Sequence, residues 1–346
     1  MITERKALRF FEECDCRLVT EALDPVGEDE IQCKSLYSVL SMGSELISYG
    51  RKFSPSMHRN SELGHPHCSG YSGVGEVIDV GKNVKGYNVG DIVYTHAFHM
   101  QYYNVNPKYG FAYKMPEWMK PEEICWMTTL RCGMFSIMKL NPKVTDTLLI
   151  AGLGMFGIAA LQFARLCGAR RVIVVDPLEK RCNRAKGFGA THVIQAEMKD
   201  AVEEIRALTD GRLVDGAVDA TNLPYALNHV CAATREGGNV TVISDPADAD
   251  SMIYPDRGRG AYLTITGIFI DMMSTRGFGL PGINPFYPTT IDDVHATICE
   301  GVRDERINIH DMITRKISPA DANEVYSSLQ KNREDDLGIV FDWSKV

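Results

Sequence analysis

The clearest pattern in the chain is a pair of apolar runs separated by a glycine-rich turn and a segment of helical periodicity. The first run, 148–151, predicts a buried strand, and the apolar positions in 158–166 recur at the spacing of an α-helix. Gly168 predicts the end of that helix, and a second run, 172–175, predicts another buried strand that ends at Asp176. The pattern therefore predicts a strand, a turn, a helix and a strand in succession.

The rest of the chain divides into parts whose patterns differ. Residues 1–120 contain short strand-like runs broken by turns, which predicts a small domain rich in β-strands. In 121–288 six apolar runs alternate with helical segments, which predicts a doubly wound, parallel six-stranded sheet. Residues 289–346 predict two helices and a last strand. The predicted fold class is therefore α/β.

Three glycines, Gly152, Gly154 and Gly157, stand between the first predicted strand and the helix. The first permits a tight turn, the second lets the backbone approach a pyrophosphate, and the third lets the helix lie close to the strand. The start of the helix, with Met155 and Phe156, offers N–H groups and a positive partial charge to phosphates. The spacing predicts a dinucleotide site; the alternative is an ordinary βαβ unit whose glycines only shape a turn.

The acid at the end of the second strand indicates which dinucleotide is bound. Asp176 follows Gly157 at the distance where a carboxylate accepts hydrogen bonds from both hydroxyls of an adenosine ribose. A carboxylate at this position would also repel a 2′-phosphate. The sequence therefore predicts NAD rather than NADP as the cofactor.

Composition and charge argue against several other classes of protein. The formal net charge of −8 disfavours a nucleic-acid-binding surface. No apolar run approaches the roughly 18 residues of a membrane helix, and the charged segment 1–13 lacks the apolar core of a secretory signal. The ten cysteines include no Cys-x-x-Cys pair, which favours reduced thiols. We therefore predict a cytoplasmic protein with no nucleic-acid or membrane partner.

Several motifs together resemble the medium-chain dehydrogenase/reductase superfamily, the alcohol dehydrogenase-like enzymes. The resemblance covers nearly the full length of the chain. The residues that match the superfamily's motifs are 73–77, 80–81, 90–93, 152–157, Asp176 and Arg181. It implies a GroES-like catalytic domain, an inserted Rossmann domain and a C-terminal return to the catalytic domain. It also implies an active site in the cleft between them, Arg181 at the cofactor, a small-molecule substrate and a homodimer or higher homo-oligomer. The predicted strand 262–269 is then a candidate for pairing across a two-fold axis.

The positions of the superfamily's catalytic zinc ligands depart from its pattern. The first ligand position holds Met42 instead of Cys, and the second holds Tyr71 instead of His. Only the third, Cys132, keeps a metal-binding residue type. A thioether and a phenol are poor replacements for thiolate and imidazole on Zn²⁺, so we predict a zinc-free member with no metal.

Within the superfamily, three short segments resemble a subgroup that includes the dehydrogenase acting on the hydroxyethyl side chain of bacteriochlorophyllide. These segments are 41–45, 70–75 and 94–101. The similarity is local, and it implies no particular substrate for this chain.

Without zinc, side chains must supply proton transfer and hydrogen bonding to the substrate oxygen. Ser44 matches the superfamily's proton-relay hydroxyl, and Tyr71 takes the place of a ligand that points into the cleft. His96 follows a predicted strand near the cleft, and imidazole is the usual acid or base at neutral pH. These three are the candidate catalytic residues. The alternatives are that Tyr71 only fills the space of a zinc site and that His96 is structural.

Cys132, Arg131 and His99 are candidate substrate contacts. Arg131 is unusual in an apolar stretch, and it could meet an anionic substrate, a cofactor phosphate or a buried acid. The segment 65–68 offers three potential metal ligands, His65, His67 and Cys68, although a solvent-exposed loop is the simpler interpretation.

The predicted function is an NAD(H)-dependent, zinc-independent oxidoreductase that transfers a hydride between nicotinamide and a small or medium alcohol or carbonyl substrate. One alternative is an enoyl or quinone reductase that acts on a C=C bond, and another is a redox-neutral enzyme that retains NAD. A non-enzymatic nucleotide sensor would have the same fold, but it needs no polar residues such as Ser44, Tyr71 and His96 in the cleft.

Overall fold

The computed structural model describes residues 2–52, 66–109, 112–223, 225–243, 263–267 and 290–346. The strands are β1 (Glu4–Glu12), β2 (Asp15–Ala22), β3 (Ile31–Leu40), β4 (His67–Cys68), β5 (Gly73–Val80), β6 (Ile92–Thr95), β7 (Tyr102–Val105), β8 (Ala112–Lys114), β9 (Thr147–Ala151), β10 (Arg171–Asp176), β11 (His192–Gln195), β12 (Val214–Asp219), β13 (Thr234–Val242), β14 (Thr264–Gly267), β15 (Arg315–Ile317) and β16 (Ile339–Asp342). The helices are α1 (Ser44–Tyr49), α2 (Pro121–Ile124), α3 (Met127–Leu140), α4 (Met155–Leu166), α5 (Glu179–Gly187), α6 (Met198–Leu208), α7 (Ala226–Ala233), α8 (Ile291–Arg303) and α9 (Ala322–Lys331). Short 3₁₀ helices cover Pro107–Tyr109, His310–Met312, Pro319–Asp321 and Trp343–Lys345.

A six-stranded sheet carries the glycine-rich turn. Its order is β11-β10-β9-β12-β13-β14, and every neighbouring pair is parallel. All five residues of β9 are buried, as expected for a strand that helices cover on both faces. The prediction of an α/β fold with a doubly wound parallel sheet is confirmed.

The remaining strands form two mainly antiparallel sheets. One has the order β2-β1-β4, and the other has the order β15-β16-β3-β5-β6-β8, with β7 also pairing with β3. Strand β16 lies antiparallel to β3, with Ile339 opposite Leu40, so the last strands of the chain complete a sheet begun by the first. This return brings α9 and the residues after it close to α1.

Helices α3 and α4 pack closely over the parallel sheet. A Cβ atom on Gly133 would lie 2.7 Å from the Cβ of Ala159, so the two helices can approach this closely only with a glycine at the crossing. Because Cys132 precedes Gly133, this contact fixes Cys132 relative to the glycine turn at the start of α4.

Several elements differ from those that the sequence predicts. The pattern at 122–138 predicts one helix, but the structure has two, α2 and α3, separated at Trp126, whose ring packs against Gly338. The apolar run at 239–244 predicts a strand there, whereas β13 already begins at Thr234. The pattern predicts no strand at β1, because Arg9 interrupts its apolar run, yet this side chain is buried and donates from Nε to Glu21 at 3.0 Å.

Among the helices that the structure describes, none has both the length and the apolar character needed to cross a bilayer.

Candidate active site

A cleft of about 730 Å³ opens at the carboxyl ends of the parallel strands. Gly152 follows β9, Asp176 ends β10, and Thr221 follows β12, and all three line the cleft. This is the edge of an open parallel sheet where ligands bind in doubly wound folds. The opposite wall includes Ser44 and Tyr71, which come from the N-terminal part of the chain.

The glycine turn leaves room for a phosphate group. Gly152 has a φ of 87°, and a Cβ atom there would lie 2.7 Å from the carbonyl oxygen of Ala220. Gly154 lines the cleft, and no protein atom lies within 4 Å of the position that its Cβ would occupy. Met155 and Phe156 form the first turn of α4, where backbone N–H groups have no carbonyl partner one turn earlier. The turn therefore fits the pyrophosphate of a dinucleotide.

Asp176 is held rigidly in the cleft wall. Its Oδ2 accepts a hydrogen bond from Leu153 N at 2.8 Å, and its Oδ1 accepts one from Leu178 N at 2.9 Å. Arg181 Nη1 lies 3.5 Å from Oδ2. Oδ1 still has a second lone pair available for a ribose hydroxyl, whereas Oδ2 faces both Leu153 N and Arg181.

Arg333 also lines the cleft, although no motif in the sequence identified it. Its Nη1 donates to the carbonyl oxygen of Met42 at 3.1 Å. Burial lowers the pKa of Arg333, and the nearby charge of Arg181 lowers it further. Two guanidinium groups of like charge face this part of the cleft, and an anionic ligand between them would relieve their repulsion.

Three hydroxyl groups meet in the opposite wall. The Oγ atoms of Ser41 and Ser44 lie 3.0 Å apart, and the Tyr71 hydroxyl hydrogen-bonds with both serines. Burial raises the pKa of Tyr71, Glu45 and Cys132 raise it further, and the serine hydrogen bonds oppose the rise. The phenol therefore stays protonated at neutral pH, so its ground state is a proton donor.

The residues at the superfamily's zinc positions do not fit a zinc ion. Met42, Tyr71 and Cys132 line the same cleft, but a thioether, a protonated phenol and one thiol are not a Zn²⁺ ligand set. In the described ranges, no group of three or more His, Cys, Asp or Glu residues could hold a metal ion. Of the cluster at 65–68, His67 Nε2 is 2.7 Å from Ser48 Oγ, and residue 65 lies outside the described residues.

His99 belongs to a buried network behind the cleft wall. Its side chain is 0% exposed; Nε2 is 3.1 Å from Glu45 Oε2 and Nδ1 is 2.8 Å from Ser38 Oγ. The same Glu45 oxygen accepts a hydrogen bond from Tyr326, and Ser38 accepts one from Trp343 Nε1 at 2.9 Å. His99 is not among the described residues that line the cleft, so we do not retain it as a substrate contact.

His96 lies beside Arg131 rather than in the described lining of the cleft. Arg131 Nη2 donates to His96 Nε2 at 2.8 Å, so the lone pair of that nitrogen is engaged. Burial, together with the charge of Arg131, lowers the pKa of His96 to about 3. A neutral imidazole with an engaged Nε2 is not suited to carry a proton for the substrate, so we do not retain His96 as a catalytic residue.

The chain is similar in sequence to known dehydrogenases. Residues 156–276 match a family model described as "Zinc-binding dehydrogenase". Sorbitol dehydrogenase of Bacillus subtilis is 26% identical over 267 residues, which cover 67% of this chain and 73% of that protein. L-threonine 3-dehydrogenase of Pyrococcus furiosus is 29% identical over 206 residues, which cover 51% of this chain and 59% of that protein. These two matches span 73% and 59% of the relatives' own length, and they support an oxidoreductase of the alcohol dehydrogenase-like kind.

Solved structures share the fold over nearly the whole chain. The 2R,3R-butanediol dehydrogenase of Bacillus subtilis has a TM-score of 0.78 at 18% identity, with coverage of 98% of this chain and 99% of that one. A protein of Sinorhizobium meliloti bound to NADP has a TM-score of 0.79 at 19% identity and covers 99% and 100% of the two chains. An alcohol dehydrogenase of Escherichia coli complexed with NADH has a TM-score of 0.78 at 15% identity and the same coverage.

Proposed function

We propose that this chain is an NAD(H)-dependent, zinc-independent oxidoreductase that transfers a hydride between nicotinamide and a small or medium alcohol or carbonyl substrate. One observation carries the proposal: Ser44 and Tyr71, whose hydroxyls form a cluster with the buried Ser41, line the same cleft as the glycine turn. The dehydrogenase relatives and the neighbours solved with NADH and NADP support a nicotinamide cofactor and an alcohol substrate.

The cofactor would be held by the residues around the glycine turn. Gly152, Gly154 and Gly157, with the first amides of α4 at Met155 and Phe156, would bind the pyrophosphate. Asp176 would accept hydrogen bonds from the adenosine ribose, and its charge favours NAD over NADP. Arg181 and Arg333 would balance the phosphate charge. Nicotinamide supplies or accepts the hydride, and the other steps are carried out by side chains.

The match to the "Zinc-binding dehydrogenase" family does not conflict with a zinc-free site. The matched range, 156–276, begins after Met42, Tyr71 and Cys132, so it contains none of the positions at which the superfamily binds catalytic zinc. The residue types at those positions are the basis for proposing chemistry without zinc.

Proton transfer would pass through Tyr71. In the direction of reduction, the phenol donates its proton to the carbonyl oxygen while the carbonyl carbon receives the hydride. Ser41 and Ser44 hydrogen-bond to the phenolate that remains, and so stabilise its charge. In the direction of oxidation, Tyr71 takes the hydroxyl proton of the alcohol only as the phenolate, which its raised pKa makes scarce at neutral pH, so alkaline pH favours oxidation. Cys132 lines the pocket beside Tyr71 without a role in proton transfer.

Replacing Tyr71 with phenylalanine tests this proposal. We expect Tyr71→Phe to lower kcat by about 100-fold or more, because general acid–base catalysis typically contributes about 10²–10⁴-fold. NADH affinity should stay within about twofold, measured by fluorescence titration. Turnover would be followed through NADH absorbance with sorbitol, threonine and 2,3-butanediol as first substrates.

Tyr87→Phe is a matched control for the loss of one hydroxyl. Tyr87 donates to the carbonyl oxygen of Ala112 at 2.8 Å, and it is not among the described residues that line the cleft. It should lose only the stability of one hydrogen bond, about 1 kcal/mol, and keep its activity. Equal activity in Tyr71→Phe and Tyr87→Phe would contradict the assignment.

We also propose a homodimer or higher homo-oligomer. Among the residues that the structure describes, strand β14 is one edge of the parallel sheet, and Ile265 on it is 38% exposed. An unpaired edge strand is a template for pairing with a second copy. Light scattering should give at least twice the mass of one chain, and a clean monomer at working concentration would contradict the proposal.

A further inference from the structure

Arg131 is a buried cation without a counter-charge among the described residues. Its exposed fraction is 3%, its guanidinium hydrogen-bonds to the His96 ring rather than to a described carboxylate, and its Nε has no hydrogen-bond partner. A guanidinium does not lose its proton in a protein, so burial cannot be relieved by neutralisation. Buried charges are normally paired, because an unpaired charge loses its hydration without compensation.

The groups around Arg131 do not supply the missing negative charge. Its guanidinium carbon lies 5.6 Å from the ring centroid of Tyr94. The ring centroid of His295 lies 5.7 Å from the same Tyr94 centroid. His295 is 7% exposed, and its Nε2 has no hydrogen-bond partner. Burial lowers the pKa of His295 to about 3, and the charge of Arg131 contributes to the shift. The cluster therefore consists of one cation and two neutral imidazoles, His96 and His295.

This cluster adjoins the proposed active site. Arg131 and Cys132 are consecutive in α3, and Cys132 lines the cleft beside Tyr71. His96 follows β6 and His295 lies on α8, so three separate elements bring polar side chains together at one point. None of the three side chains is among the described residues that line the cleft, so an anionic group must extend beyond the cleft wall to reach the guanidinium.

We propose that Arg131, His96 and His295, here called the oxyanion cluster, bind a carboxylate or phosphate group carried by the substrate. The substrate is then an anionic alcohol or carbonyl compound, an inference that rests on the proposed function. The anion accepts a hydrogen bond from Arg131 Nε–H, and it accepts a second from His295 when that ring carries its proton on Nε2. A neutral polyol would leave the buried charge uncompensated.

Thermal unfolding of the full chain tests the site without any need for turnover. The wild type would be melted in acetate, in inorganic phosphate and in chloride at equal ionic strength. An oxyanion that binds only the folded state raises Tm. We expect a rise of about 2–4 °C over chloride, loss of that rise in Arg131→Gln, and partial retention in Arg131→Lys, which keeps the charge. Arg303→Gln is the matched control, because Arg303 lies exposed on the same helix as His295.

Each outcome of the melting experiment decides the proposal. A response to acetate alone identifies a carboxylate site, a response to phosphate alone identifies a phosphate site, and both support the oxyanion cluster. No response in the wild type, or equal responses in the wild type and Arg131→Gln, overturns it. If Arg131→Gln does not fold, Arg131→Lys and His295→Asn take its place. The proposal then requires each of these two variants to show a smaller rise in Tm with the oxyanion than Arg303→Gln shows.

A kinetic comparison separates this proposal from the proposed function. With 3-hydroxybutyrate and 2,3-butanediol as an anionic and a neutral alcohol, Arg131→Gln should raise KM at least tenfold for the first and less than twofold for the second. If the melting response is intact but no alcohol is turned over, the oxyanion site stands and the proposed function fails. If alcohols are oxidised with no oxyanion response, the oxyanion cluster fails and the proposed function stands.

Discussion

The carbonyl oxygen of Gly152 lies 1.8 Å from the position that a Cβ atom on residue 157 would occupy. Helix α4 can therefore begin this close to the end of β9 only because residue 157 is Gly157. Gly154 is in the opposite situation. Its φ of −73° suits any residue, and the space around its Cβ position is open toward the cleft.

The two glycines should consequently respond differently to the same change. Gly157→Ala should fail to fold or melt well below the wild type, because backbone must move to admit the methyl group. Gly154→Ala should keep its Tm within about 2 °C but weaken NADH binding by roughly tenfold, because its methyl group enters the space of the pyrophosphate. Circular dichroism melts and fluorescence titration with NADH measure the two effects.

Gly187→Ala is the control for this pair, because it too has open space around its Cβ position. It lies at the end of α5, and it should leave both Tm and NADH affinity unchanged. NADH affinity of Gly154→Ala equal to that of Gly187→Ala would contradict the placement of the pyrophosphate.

Replacing the buried carboxylate of Asp176 should change cofactor preference. Asp176→Asn keeps one side-chain oxygen that can accept a hydrogen bond from Leu153 N or Leu178 N. It removes the negative charge that repels a 2′-phosphate, and it also removes the ion pair with Arg181. We expect the ratio of kcat/KM for NAD to that for NADP to fall by about 10–100-fold, or roughly 1.4–3 kcal/mol. Steady-state kinetics with both cofactors measures the ratio.

Asp215→Asn serves as the control for Asp176→Asn. Asp215 accepts hydrogen bonds from Thr147 N at 2.9 Å and Arg235 Nε at 2.7 Å, and it is not among the described residues that line the cleft. Asp215→Asn should keep the wild-type ratio of kcat/KM for NAD to that for NADP. The same unchanged ratio in Asp176→Asn would contradict the role of Asp176.

The buried network around Glu45 should stabilise the fold. Its carboxylate, 4% exposed, accepts hydrogen bonds from Ser41 N at 3.0 Å and from Tyr326, and it lies 3.1 Å from His99 Nε2. Glu45→Ala leaves these buried groups without a partner, so the free energy of unfolding should fall by about 3 kcal/mol or more. Urea unfolding measures the loss.

Glu203→Ala on α6 is the comparison, because the Glu203 side chain is 79% exposed. Its free energy of unfolding should stay within about 0.5 kcal/mol of the wild type. If Glu45→Ala unfolds at the same urea concentration as Glu203→Ala, the network does not stabilise the fold as described.

Acid should destabilise the protein through the two histidines beside Arg131. In the folded chain the pKa values of His96 and His295 are lowered to about 3, whereas an unfolded histidine has a pKa of about 6.5. Below a pH of about 6.5 the unfolded chain binds protons that the folded chain does not, so stability is full above that pH and falls toward pH 3. The groups that face them are Arg131, Tyr94 and Tyr113, with Asp292 acting on Tyr113.

The variant Arg131→Gln should weaken this acid sensitivity. Burial, the larger cause of the lowered pKa values, still opposes protonation of either imidazole without the guanidinium, so the fall in Tm should be only partly reduced relative to the wild type, mainly between about pH 5 and about pH 3. Carboxylates that titrate in the same pH range contribute equally to the fall in Tm of the variant and of the wild type. An identical fall in Arg131→Gln and the wild type would mean that Arg131 does not hold these imidazoles neutral.

Local spacing explains why the fold and the glycine turn could be predicted from the sequence. The turn, the helix after it and Asp176 lie within one short stretch, where the position of each residue follows from strand and helix periods. The continuous apolar runs of β9 and β10 also predict strands covered on both faces, as observed.

Contacts between distant parts of the chain explain what could not be predicted. The bond from Tyr326 to Glu45 joins residues 281 positions apart, and Arg333 reaches Met42 across 291 positions. No local pattern encodes such pairs. His96 illustrates the consequence, because its position after a strand suggested a proton carrier, and only the fold reveals Arg131 beside it.

The zinc content of the purified, untagged chain, determined by elemental analysis after preparation without added metal, distinguishes side-chain chemistry from a metal-assisted mechanism. We expect well under one tenth of a zinc ion per chain, with intact NADH binding and with activity that a chelator does not lower. About one zinc ion per chain, lost together with activity on chelation, would contradict chemistry by Tyr71, Ser41 and Ser44 and require a metal-assisted mechanism.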